Sequence, residues 1–504
     1  MAFQLPLRSL GLQCLRKFPN QRFSSETASI TESTNVTPVK SRRKKKKRKF
    51  LASPSYCNSK AQVNKSTIHN QFRQVALSVT PLYMMSYDAQ LEYKNREIQD
   101  VLQKMMNRFV CYQQYPLSDK MIENLKNFHL MCPLEPCLPS PVINGYRSKD
   151  EVTTGKGVDN NVAVGLTVGK GTRSYTVPNT YLANVGRKHK EITRAFGDFI
   201  STSSFDPFIW PEFEGLGKPH QPTGHWRIMS VRSSTLGQSM AYIIFHPQRK
   251  SEDIQMKAKE ELLNYFQNGP GRLCGLDTLF FQPTLSSRAN AGIVPFQLLY
   301  GQPYITERLL NCTFRISIDS FFQINVSAAE VLYSVIKDCA KLKPTDVFLD
   351  ICCGTGSIGI SMAASAKRLF GVEIIQQAID DAKLNAKLNN VNNVEFICSR
   401  ASEALKKISV GAYFDINETA VAVVNPGRNG VNQSVIRSIR RCQQIHRLIY
   451  VTCRPVGNTI KNFMDLCCPP NEKLPGEPFS PTRAVPVDMF PHTVHCELVV
   501  VFER

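Results

Sequence analysis

The sequence predicts a doubly wound α/β domain with an antiparallel edge over residues 301–504, preceded by a β-rich region. From about residue 342, short apolar runs alternate with helical segments, a pattern typical of parallel strands that helices cover on both faces. A glycine-rich turn joins the first strand to its helix, and residues 484–504 form two apolar runs separated by a turn. The first two observations indicate the parallel sheet, and the third indicates its antiparallel edge.

Four apolar runs supply the strands of the predicted parallel sheet. "DVFLDICCGTGSIGISMAASA" (346–366) comprises a strand, the glycine-rich turn and a helix, and "RLFGVEII" (368–375) precedes a helical segment that begins near Gln376. "VAVVNPGRNG" (421–430) and "RLIYVTCRP" (447–455) each run into a loop that contains proline. In open α/β sheets, functional residues collect in the loops at the carboxyl ends of the strands. These loops are therefore the place to look for a site.

The residue pattern in the middle of the chain predicts a β-rich domain at residues 140–300. Short apolar runs such as "NVAVGLTVG" (161–169) are interrupted there by Gly, Pro and Asn, as in antiparallel sheets. Lys and Arg stand beside aromatic residues, for example at Trp226 and Arg227, and this combination binds RNA by charge and base stacking. The same residues decorate sheets that bind nothing, so an RNA-binding domain is one of two interpretations.

The sequence of the N-terminal part of the chain predicts a leader, a basic segment and a helical segment. Residues 1–25 carry four basic residues and no acidic one, which is typical of a mitochondrial transit peptide. Residues 26–80 are expected to be disordered and include eight consecutive Lys or Arg at 42–49, a run that binds nucleic acid or acts as a nuclear address. An amphipathic pattern predicts a helix over 88–109 within a helical segment at 81–139. We expect a mitochondrial matrix protein, with a nuclear or cytosolic one as the alternative.

Composition and charge exclude several classes of protein. The formal net charge of +21 favours a polyanionic partner such as nucleic acid. The 16 cysteines include no C-x-x-C pair, so neither a disulfide framework nor a zinc ribbon is expected. Cys132 and Cys137 have no second pair at ligand spacing, and we expect no metal. No apolar run approaches the length of a membrane span, so no membrane partner is expected.

The glycine-rich turn predicts a nucleotide-like ligand. Gly354 and Gly356 belong to the pattern G-x-G-x-x-G, in which the missing side chains let the backbone approach the ligand. Asp350 precedes the turn, where its carboxylate suits the amino group of S-adenosylmethionine (SAM) but would repel a pyrophosphate. Glu373 ends the second strand, where its carboxylate could accept hydrogen bonds from both ribose hydroxyls of the ligand. A Rossmann-like SAM-binding domain follows, with NAD(P) or an unliganded turn as the alternatives.

Cys453 ends the fourth predicted strand, and Asn425 follows the third, so both border the same crevice. A cysteine at such a position is ordinarily a small buried residue. Beside a methyl donor it has a specific use, because C5 of uracil is a poor nucleophile until a thiolate adds to C6. That chemistry needs a cysteine, a carboxylate base and a uracil that has left its stack.

Five motifs give this domain a specific resemblance to the RNA (uracil-5-)-methyltransferases. They occur in the family's order and are "SIDSFFQIN" (317–325), "DICCGTG" (350–356), "VNPGR" (424–428), "YVTCRP" (450–455) and "DMFPHTVHCE" (488–497). A weaker similarity extends through "SPVINGYRSK" (140–149) and the helix from about residue 86. The resemblance implies a SAM-dependent RNA methyltransferase that forms 5-methyluridine.

The resemblance also implies a role for each site residue. Cys453 would be the nucleophile that attacks C6, and Glu497 would be the base that accepts the C5 proton. Gln323 would hold SAM, Glu373 would bind its ribose, and Asn425 would complete the pocket.

The sequence departs from the family pattern at two positions. The usual Asp-Pro-Pro-Arg is Asn-Pro-Gly-Arg at 425–428, and because an amide both donates and accepts hydrogen bonds, we expect slower chemistry rather than none. Arg454 follows the nucleophile and would favour its thiolate. His492 and His495 are expected to shape the loop before the base. The clustered cysteines that hold an iron–sulfur cluster in some bacterial relatives are missing, so no cluster is expected.

These features predict the substrate. The T-loop uridine of mitochondrial tRNAs is the expected target, held by the β-rich domain while the base flips into the crevice. The alternatives are ribosomal RNA of the mitochondrial small subunit, both RNAs, or a catalytically silent RNA chaperone. No obligate protein partner is inferred.

Overall fold

The computed structural model describes residues 68–112, 117–169, 174–209, 222–248, 252–285 and 294–504. The predicted transit peptide and the basic run at 42–49 lie outside these described residues. In the described part of the chain, no helix combines the length and apolar character needed to cross a membrane. The same residues contain no cluster of three or more His, Cys, Asp or Glu side chains suited to a metal ion.

A seven-stranded sheet occupies the middle of the chain, in the order β3–β2–β1–β4–β5–β6–β7. Its strands are β1 (Lys149–Lys156), β2 (Val162–Val168), β3 (Tyr175–Val177), β4 (Trp226–Ser233), β5 (Ser239–Phe245), β6 (Thr278–Pro283) and β7 (Gln297–Tyr300). Neighbours are antiparallel except β5 and β6, which are joined by a helical crossover as parallel strands require.

Three helices pack on this sheet, which we call the middle sheet. They are α1 (Ile68–Val79), α4 (Arg187–Thr202) and α5 (Glu252–Leu263), the last continued by a π-helical turn at Asn264–Asn268. The core between the sheet, α4 and α5 is rich in aromatic side chains. Trp226, for example, lies 5.0 Å from Phe199 and 4.9 Å from Phe245 between ring centroids. Such edge-to-face pairs fill the core with large side chains of fixed orientation.

The second sheet also has seven strands, in the order β12–β11–β10–β13–β14–β16–β15, and we call it the catalytic sheet because it carries most of the site residues predicted from the sequence. They are β10 (Val347–Ile351), β11 (Arg368–Glu373), β12 (Val394–Cys398), β13 (Ala420–Val424), β14 (Ile445–Thr452), β15 (Ser480–Val487) and β16 (Glu497–Glu503). Strands β10 to β14 are parallel to one another, whereas β16 is antiparallel to β14 and β15. The predicted α/β fold with an antiparallel edge is thereby confirmed, and β12 is a strand that the sequence reading did not single out.

Alternating side chains bury both faces of the catalytic sheet. In β10, Phe348 enters one core, while Val347 and Leu349 enter the other. The helices that follow or precede its strands are α6 (Val326–Ala340), α7 (Ser357–Met362), α8 (Gln376–Leu388), α9 (Ala401–Ser409), α10 (Gln433–Arg441) and α11 (Asn458–Cys467). This burial on both faces explains why the strands have continuous apolar runs in the sequence.

Two N-terminal helices also belong to this part of the fold. They are α2 (Tyr87–Tyr112) and α3 (Asp119–Phe128). Helix α2 places five apolar side chains in the same core as Leu349, and these are Ile98, Leu102, Met105, Met106 and Phe109. The predicted amphipathic stripe is therefore a packing face against the catalytic sheet.

A two-stranded hairpin, β8 (Tyr304–Leu309) and β9 (Cys312–Ser317), leads into α6 through residues 318–325. Single turns of 3₁₀ helix lie at Asn179–Tyr181, Pro270–Cys274 and Ala363–Ser365.

Candidate active site

The register of the catalytic sheet brings four strand ends to one edge. Ile351, the last residue of β10, pairs with Val372 on one side and Val424 on the other, and Val424 pairs with Tyr450 of β14. Because parallel strands in register end together, the loops that follow them share one crevice. The predicted site residues at 354, 373, 425 and 453 follow these strand ends.

The antiparallel strand β16, which lies between β14 and the edge strand β15, adds Glu497 to that crevice. Strands β14 and β16 run in opposite directions, and their last paired residues are Thr452 and Leu498. The residue after Thr452 is Cys453, and the residue before Leu498 is Glu497. The end of one strand therefore meets the start of the other, and the Glu497 carboxyl acts electrostatically on the Cys453 thiol. Two residues 44 positions apart, the predicted nucleophile and the predicted base, become neighbours through strand direction alone.

Glu497 is a buried carboxyl group, with 5% of its surface exposed. Burial raises its pKa from 4.5 to about 8, because a carboxylate loses its hydration when it is removed from water. A group with this pKa exchanges a proton near physiological pH, which is the range that a general base requires. The carboxyl group has the properties of a proton acceptor, whereas an exposed glutamate would be too weak a base.

Cys453 is half-buried, and opposing effects act on its thiol. Burial raises its pKa most, the Glu497 carboxyl raises it further, and the Arg428 guanidinium lowers it by charge and by a hydrogen bond to the thiol. The sequence predicted Arg454 as the cation that favours the thiolate. In the structure Arg428, from the loop after β13, has that contact. Arg428 belongs to the "VNPGR" motif, but only the fold shows that this loop reaches the thiol.

The glycine-rich turn leaves open space over Gly354. A side chain added at Gly354 would meet no atom within 4 Å, whereas one at Gly356 would lie 2.9 Å from Phe396. Both glycines have positive φ angles, +54° and +79°, which other residues adopt at a cost. The first glycine therefore keeps a ligand surface clear, and the second allows close packing below the turn.

Glu373 holds the turn from the neighbouring strand end. Its carboxylate accepts hydrogen bonds from the backbone N–H of Gly354 at 3.2 Å and of Ile374 at 2.8 Å. Ile374 and Ile375 follow it with 60% and 59% of their surfaces exposed. Exposed apolar side chains beside a carboxylate offer a flat apolar contact next to a hydroxyl acceptor, which suits a nucleoside. The sequence reading assigned no role to these two isoleucines.

Asp350 lies beneath the turn. Its side chain is completely buried, and one oxygen accepts the N–H of Gly359 at 2.8 Å, near the start of α7. Burial raises its pKa to about 7, with a further contribution from the Glu373 charge. The predicted contact with the amino group of a ligand stays a prediction, since in this structure the carboxyl supports the turn from below.

Gln323 is 8% exposed and lies in the segment 318–325. Its side chain hydrogen-bonds with the completely buried Tyr333 of α6. The Tyr333 hydroxyl is also 2.6 Å from the hydroxyl of Ser357, the first residue of α7. Tyr333 thus joins the Gln323 segment to the glycine-rich turn. Its position in an apolar helix gave no sequence signal for this role.

The middle sheet also contacts the Gln323 segment. The backbone N–H of Ser148 donates to the carbonyl of Ile324 at 2.7 Å, and its hydroxyl donates to the carbonyl of Gln323 at 3.2 Å. Arg232, which is 3% exposed, donates from Nη2 to the carbonyl of Ser320 at 3.0 Å. Three carbonyls of one short segment are therefore fixed by residues of the other sheet.

Asn425 follows β13 and is partly buried. Its backbone N–H lies 3.3 Å from the carbonyl of Ile351 in β10, so the chain stays close to the glycine-rich turn as it leaves the strand. Asn425 therefore borders the crevice, in the same loop as Arg428.

Comparison with known proteins places these features in a family. A family model described as tRNA (Uracil-5-)-methyltransferase matches residues 289–504. The chain is 40% identical to tRNA (uracil-5-)-methyltransferase homolog B of Danio rerio over 85% of this chain and 86% of that protein. It is 38% identical to the Homo sapiens homolog B over 84% and 83% of the two chains.

A solved structure has the same fold. The Pyrococcus abyssi tRNA (uracil-54, C5)-methyltransferase in complex with S-adenosyl-L-homocysteine matches with a TM-score of 0.56 and 22% identity, over 84% of both chains. At that identity the match establishes the fold, while the relatives described above establish the family. The chain belongs to the tRNA (uracil-5-)-methyltransferase family, whose members are SAM-dependent methyltransferases.

Proposed function

We propose that the protein methylates C5 of the T-loop uridine of mitochondrial tRNAs through a covalent bond between Cys453 and C6 of the base. The observation that carries the proposal is the apposition of Cys453 and Glu497 beside the open glycine-rich turn. The family is defined by uracil-5 methylation, and uracil 54 is named as the target of the Pyrococcus abyssi structural relative.

The residues around the turn fit the methyl donor. When bound, SAM supplies an electrophilic methyl group. Glu373 would accept hydrogen bonds from the ribose hydroxyls, and the exposed Ile374 and Ile375 would contact the adenine. The open face of Gly354 admits the ligand. Gln323, held by Tyr333, would orient the donor, with Asn425 closing the far side.

The two catalytic residues would act in sequence. The Cys453 thiolate, favoured by Arg428, would add to C6 of uracil, and the electron pair that accumulates at C5 would take the methyl group from SAM, which would leave as S-adenosylhomocysteine. Glu497 in its carboxylate form then accepts the proton from C5, and the C6–S bond breaks to restore the ring and the thiolate. The raised pKa of Glu497 makes its carboxylate a stronger base for this proton than an exposed glutamate.

Residues 140–300 are proposed as the RNA-binding domain. A cleft of about 440 Å³ lies between the β1–β2 hairpin and α4, lined by the basic residues Lys190 and Arg194 and by the acidic residues Asp159 and Asp198. Lys and Arg can contact phosphates there, while hydroxyl and amide groups can contact ribose.

The mitochondrial matrix is the proposed location. It depends on the acid-free N-terminal 25 residues with four basic residues. Imaging a fluorescent fusion with and without these residues tests it, and import that persists after their deletion would contradict it.

A covalent trap tests the reaction. We would incubate the protein with SAM and a T-arm RNA that carries 5-fluorouridine at the target position. Fluorine cannot leave as a cation, so the methylated adduct stays bound to Cys453 and survives denaturation. Wild type should form the adduct, whereas Cys453→Ala should form none while it binds SAM as wild type does.

The result also separates the competing functions. If the T-arm RNA is not trapped, we would test a fragment of small-subunit ribosomal RNA that carries 5-fluorouridine. An adduct with that fragment would show that ribosomal RNA is the substrate. Tight RNA binding with no adduct on either RNA would contradict catalysis. It would favour an RNA chaperone. The first variant to test would then be Asn425→Asp, which restores the carboxylate that the family has at this position.

A further inference from the structure

The turn that carries Glu497 is held by residues far from it in the sequence. Residues 488–496, which we call the base turn, join β15 to β16 and end directly before Glu497. His492 in the middle of the turn has a φ of +68°, a conformation that is uncommon for residues other than glycine. The contacts that hold the turn in this conformation therefore help to determine where Glu497 lies.

A buried ion pair fixes the start of the base turn. Lys94 of α2 donates from Nζ to Oδ1 of Asp488 at 2.5 Å, and both side chains are completely buried. The same ammonium group donates to the carbonyl of Phe490 at 3.1 Å. Oδ1 of Asp488 also accepts the N–H of Phe490 at 3.0 Å. One lysine thus binds both a side chain and the backbone of the turn.

Gln90, one helical turn before Lys94, fixes the strained residue. Its Oε1 accepts the N–H of His492 at 2.8 Å, and its Nε2 lies 3.2 Å from Nδ1 of the same histidine. The N–H of Leu82, just before α2, donates to the carbonyl of His492 at 3.0 Å. On the other side, the Tyr146 hydroxyl donates to the carbonyl of Pro491 at 3.1 Å.

A buried ion pair is a costly way to join two elements. Removing two charges from water often costs more than burying apolar side chains of the same volume, so a buried ion pair is weak evidence for added stability. Helix α2 already packs on the catalytic sheet through its apolar stripe, so attachment alone does not require a charge. The pair instead sets the path of a turn whose last residue precedes a buried carboxyl.

We propose that Lys94 and Gln90 are positioning residues for Glu497, so that helix α2 is part of the active centre. The inference rests on the proposed function, in which Glu497 accepts the C5 proton. Displacement of the base turn slows that proton transfer and the cleavage of the C6–S bond that follows it. Addition of Cys453 to C6 and methyl transfer to C5 do not need Glu497 as a base, and they keep their rates below about pH 8, where the carboxyl of Glu497 is mostly uncharged and acts little on the thiol.

Two RNA substrates separate these steps. With 5-fluorouridine RNA, the rate of adduct formation reports on thiol addition and methyl transfer alone. With uridine RNA, the rate of product release reports on proton removal as well. In Lys94→Met, adduct formation on the fluorinated RNA should match wild type, whereas turnover of uridine RNA should fall roughly ten- to hundred-fold, as for a misplaced catalytic group. The denaturation-resistant adduct should then accumulate on uridine RNA.

Three further variants make the result decisive. Glu135→Gln removes an ion pair to Arg483 of β15, which joins the same N-terminal region to the same strand away from the turn, and both rates should stay at their wild-type values. Lys94→Met with Asp488→Asn removes both charges, so no buried charge is left unpaired. This double variant should melt closer to wild type than Lys94→Met while its turnover stays slow. Glu497→Gln provides the reference for complete loss of the base.

The outcomes distinguish the inference from the function on which it rests. If Glu497→Gln accumulates no adduct on uridine RNA, Glu497 is not the base and both claims fail. If Glu497→Gln accumulates adduct but Lys94→Met and the double variant turn over like wild type, the inference alone is wrong. Equal slowing of both reactions in the double variant would show a general loss of structure and would also overturn it.

Discussion

At the scale of single residues, the reactivity of Cys453 depends on two charges of opposite sign. Glu497 lies across the strand pair and disfavours the thiolate, while Arg428 hydrogen-bonds to the thiol and favours it. Burial opposes ionisation of both the thiol and the carboxyl. Because the Glu497 charge contributes to the raised pKa of Cys453, a substitution at Glu497 changes the ionisation of the thiol.

This arrangement predicts opposite effects of two substitutions on the Cys453 thiol. Glu497→Gln removes a negative neighbour, so the pKa of Cys453 should fall and alkylation by iodoacetamide should begin at lower pH. Arg428→Met removes the positive neighbour, so the pKa should rise and alkylation should begin at higher pH. The effect of Glu497→Gln should be largest above about pH 8, where the wild-type carboxyl becomes charged.

The measurement is the alkylation rate of the Cys453 peptide by mass spectrometry over the neutral to alkaline range. Cys398, an exposed thiol at the end of β12, provides the internal reference in each sample. Shifts in the same direction for both variants, or no shift in either, would contradict the proposed charge arrangement.

The residue scale also shows what a sequence can predict about a site. Cys453, Glu373 and Asn425 follow apolar runs, so their place at one sheet edge follows from strand length and parallel order. Arg428 stands in a loop whose course depends on tertiary packing, and Tyr333 stands in an apolar helix. Neither position differs in pattern from an ordinary surface arginine or core tyrosine, so no sequence rule selects them.

At the scale of elements, the segment 318–325 connects the two sheets. Its carbonyls accept hydrogen bonds from Ser148 and Arg232 of the middle region, and its glutamine contacts Tyr333 beneath the glycine-rich turn. If the middle sheet binds RNA and Gln323 binds the donor, this segment couples the two substrates. The coupling has a structural cost, since two other nitrogens of the Arg232 guanidinium have no hydrogen-bond partner among the described residues.

Arg232→Met should therefore weaken donor binding without destabilising the fold. Loss of the bond to Ser320 releases the segment at a cost of about 1 kcal/mol, or roughly five-fold in the Kd for SAM. Removal of a poorly paired buried charge should leave the melting temperature unchanged or raise it. Calorimetric titration with SAM and thermal unfolding measure the two effects.

A matched variant lies on the same strand. Ser230 is buried, and its hydroxyl donates to the carbonyl of Asp150 at 3.3 Å, away from the segment. Ser230→Ala should leave the affinity for SAM unchanged. If Arg232→Met binds SAM as tightly as wild type, the segment does not transmit the influence of the middle sheet.

The elements also show where sequence reasoning reached its limit. The two C-terminal strands were predicted from apolar runs, yet their order in the sheet was not, and that order places Glu497 next to Cys453. Strand β12 has partly exposed side chains at the sheet edge, so it lacks the continuous apolar run of a central strand. Long-range pairing of this kind depends on tertiary packing that local patterns do not contain.

At the scale of the whole molecule, helix α2 makes the catalytic sheet depend on the N-terminal region. Five of its apolar side chains are buried in the core beneath β10, β13 and β14. Its polar residues Gln90 and Lys94 hold the base turn. The C-terminal family motifs therefore describe the chemistry, but the folded unit that performs it begins well before them.

A truncation tests this dependence. A chain that begins at residue 113 lacks α2, and each of the five apolar side chains contributes about 1.5–3 kcal/mol on burial, against a typical stability of about 5–15 kcal/mol for a folded protein. We expect no cooperative thermal transition of the catalytic sheet and no binding of SAM. Of the elements that the structure describes, a chain that begins at residue 80 lacks α1, whose Val75 and Ala76 pack against β3 and the turns after it, and it should still bind SAM. Circular dichroism melting and calorimetric titration of the two truncated chains distinguish the cases. Cooperative melting and SAM binding by the shorter chain would show that the family domain is independent of α2.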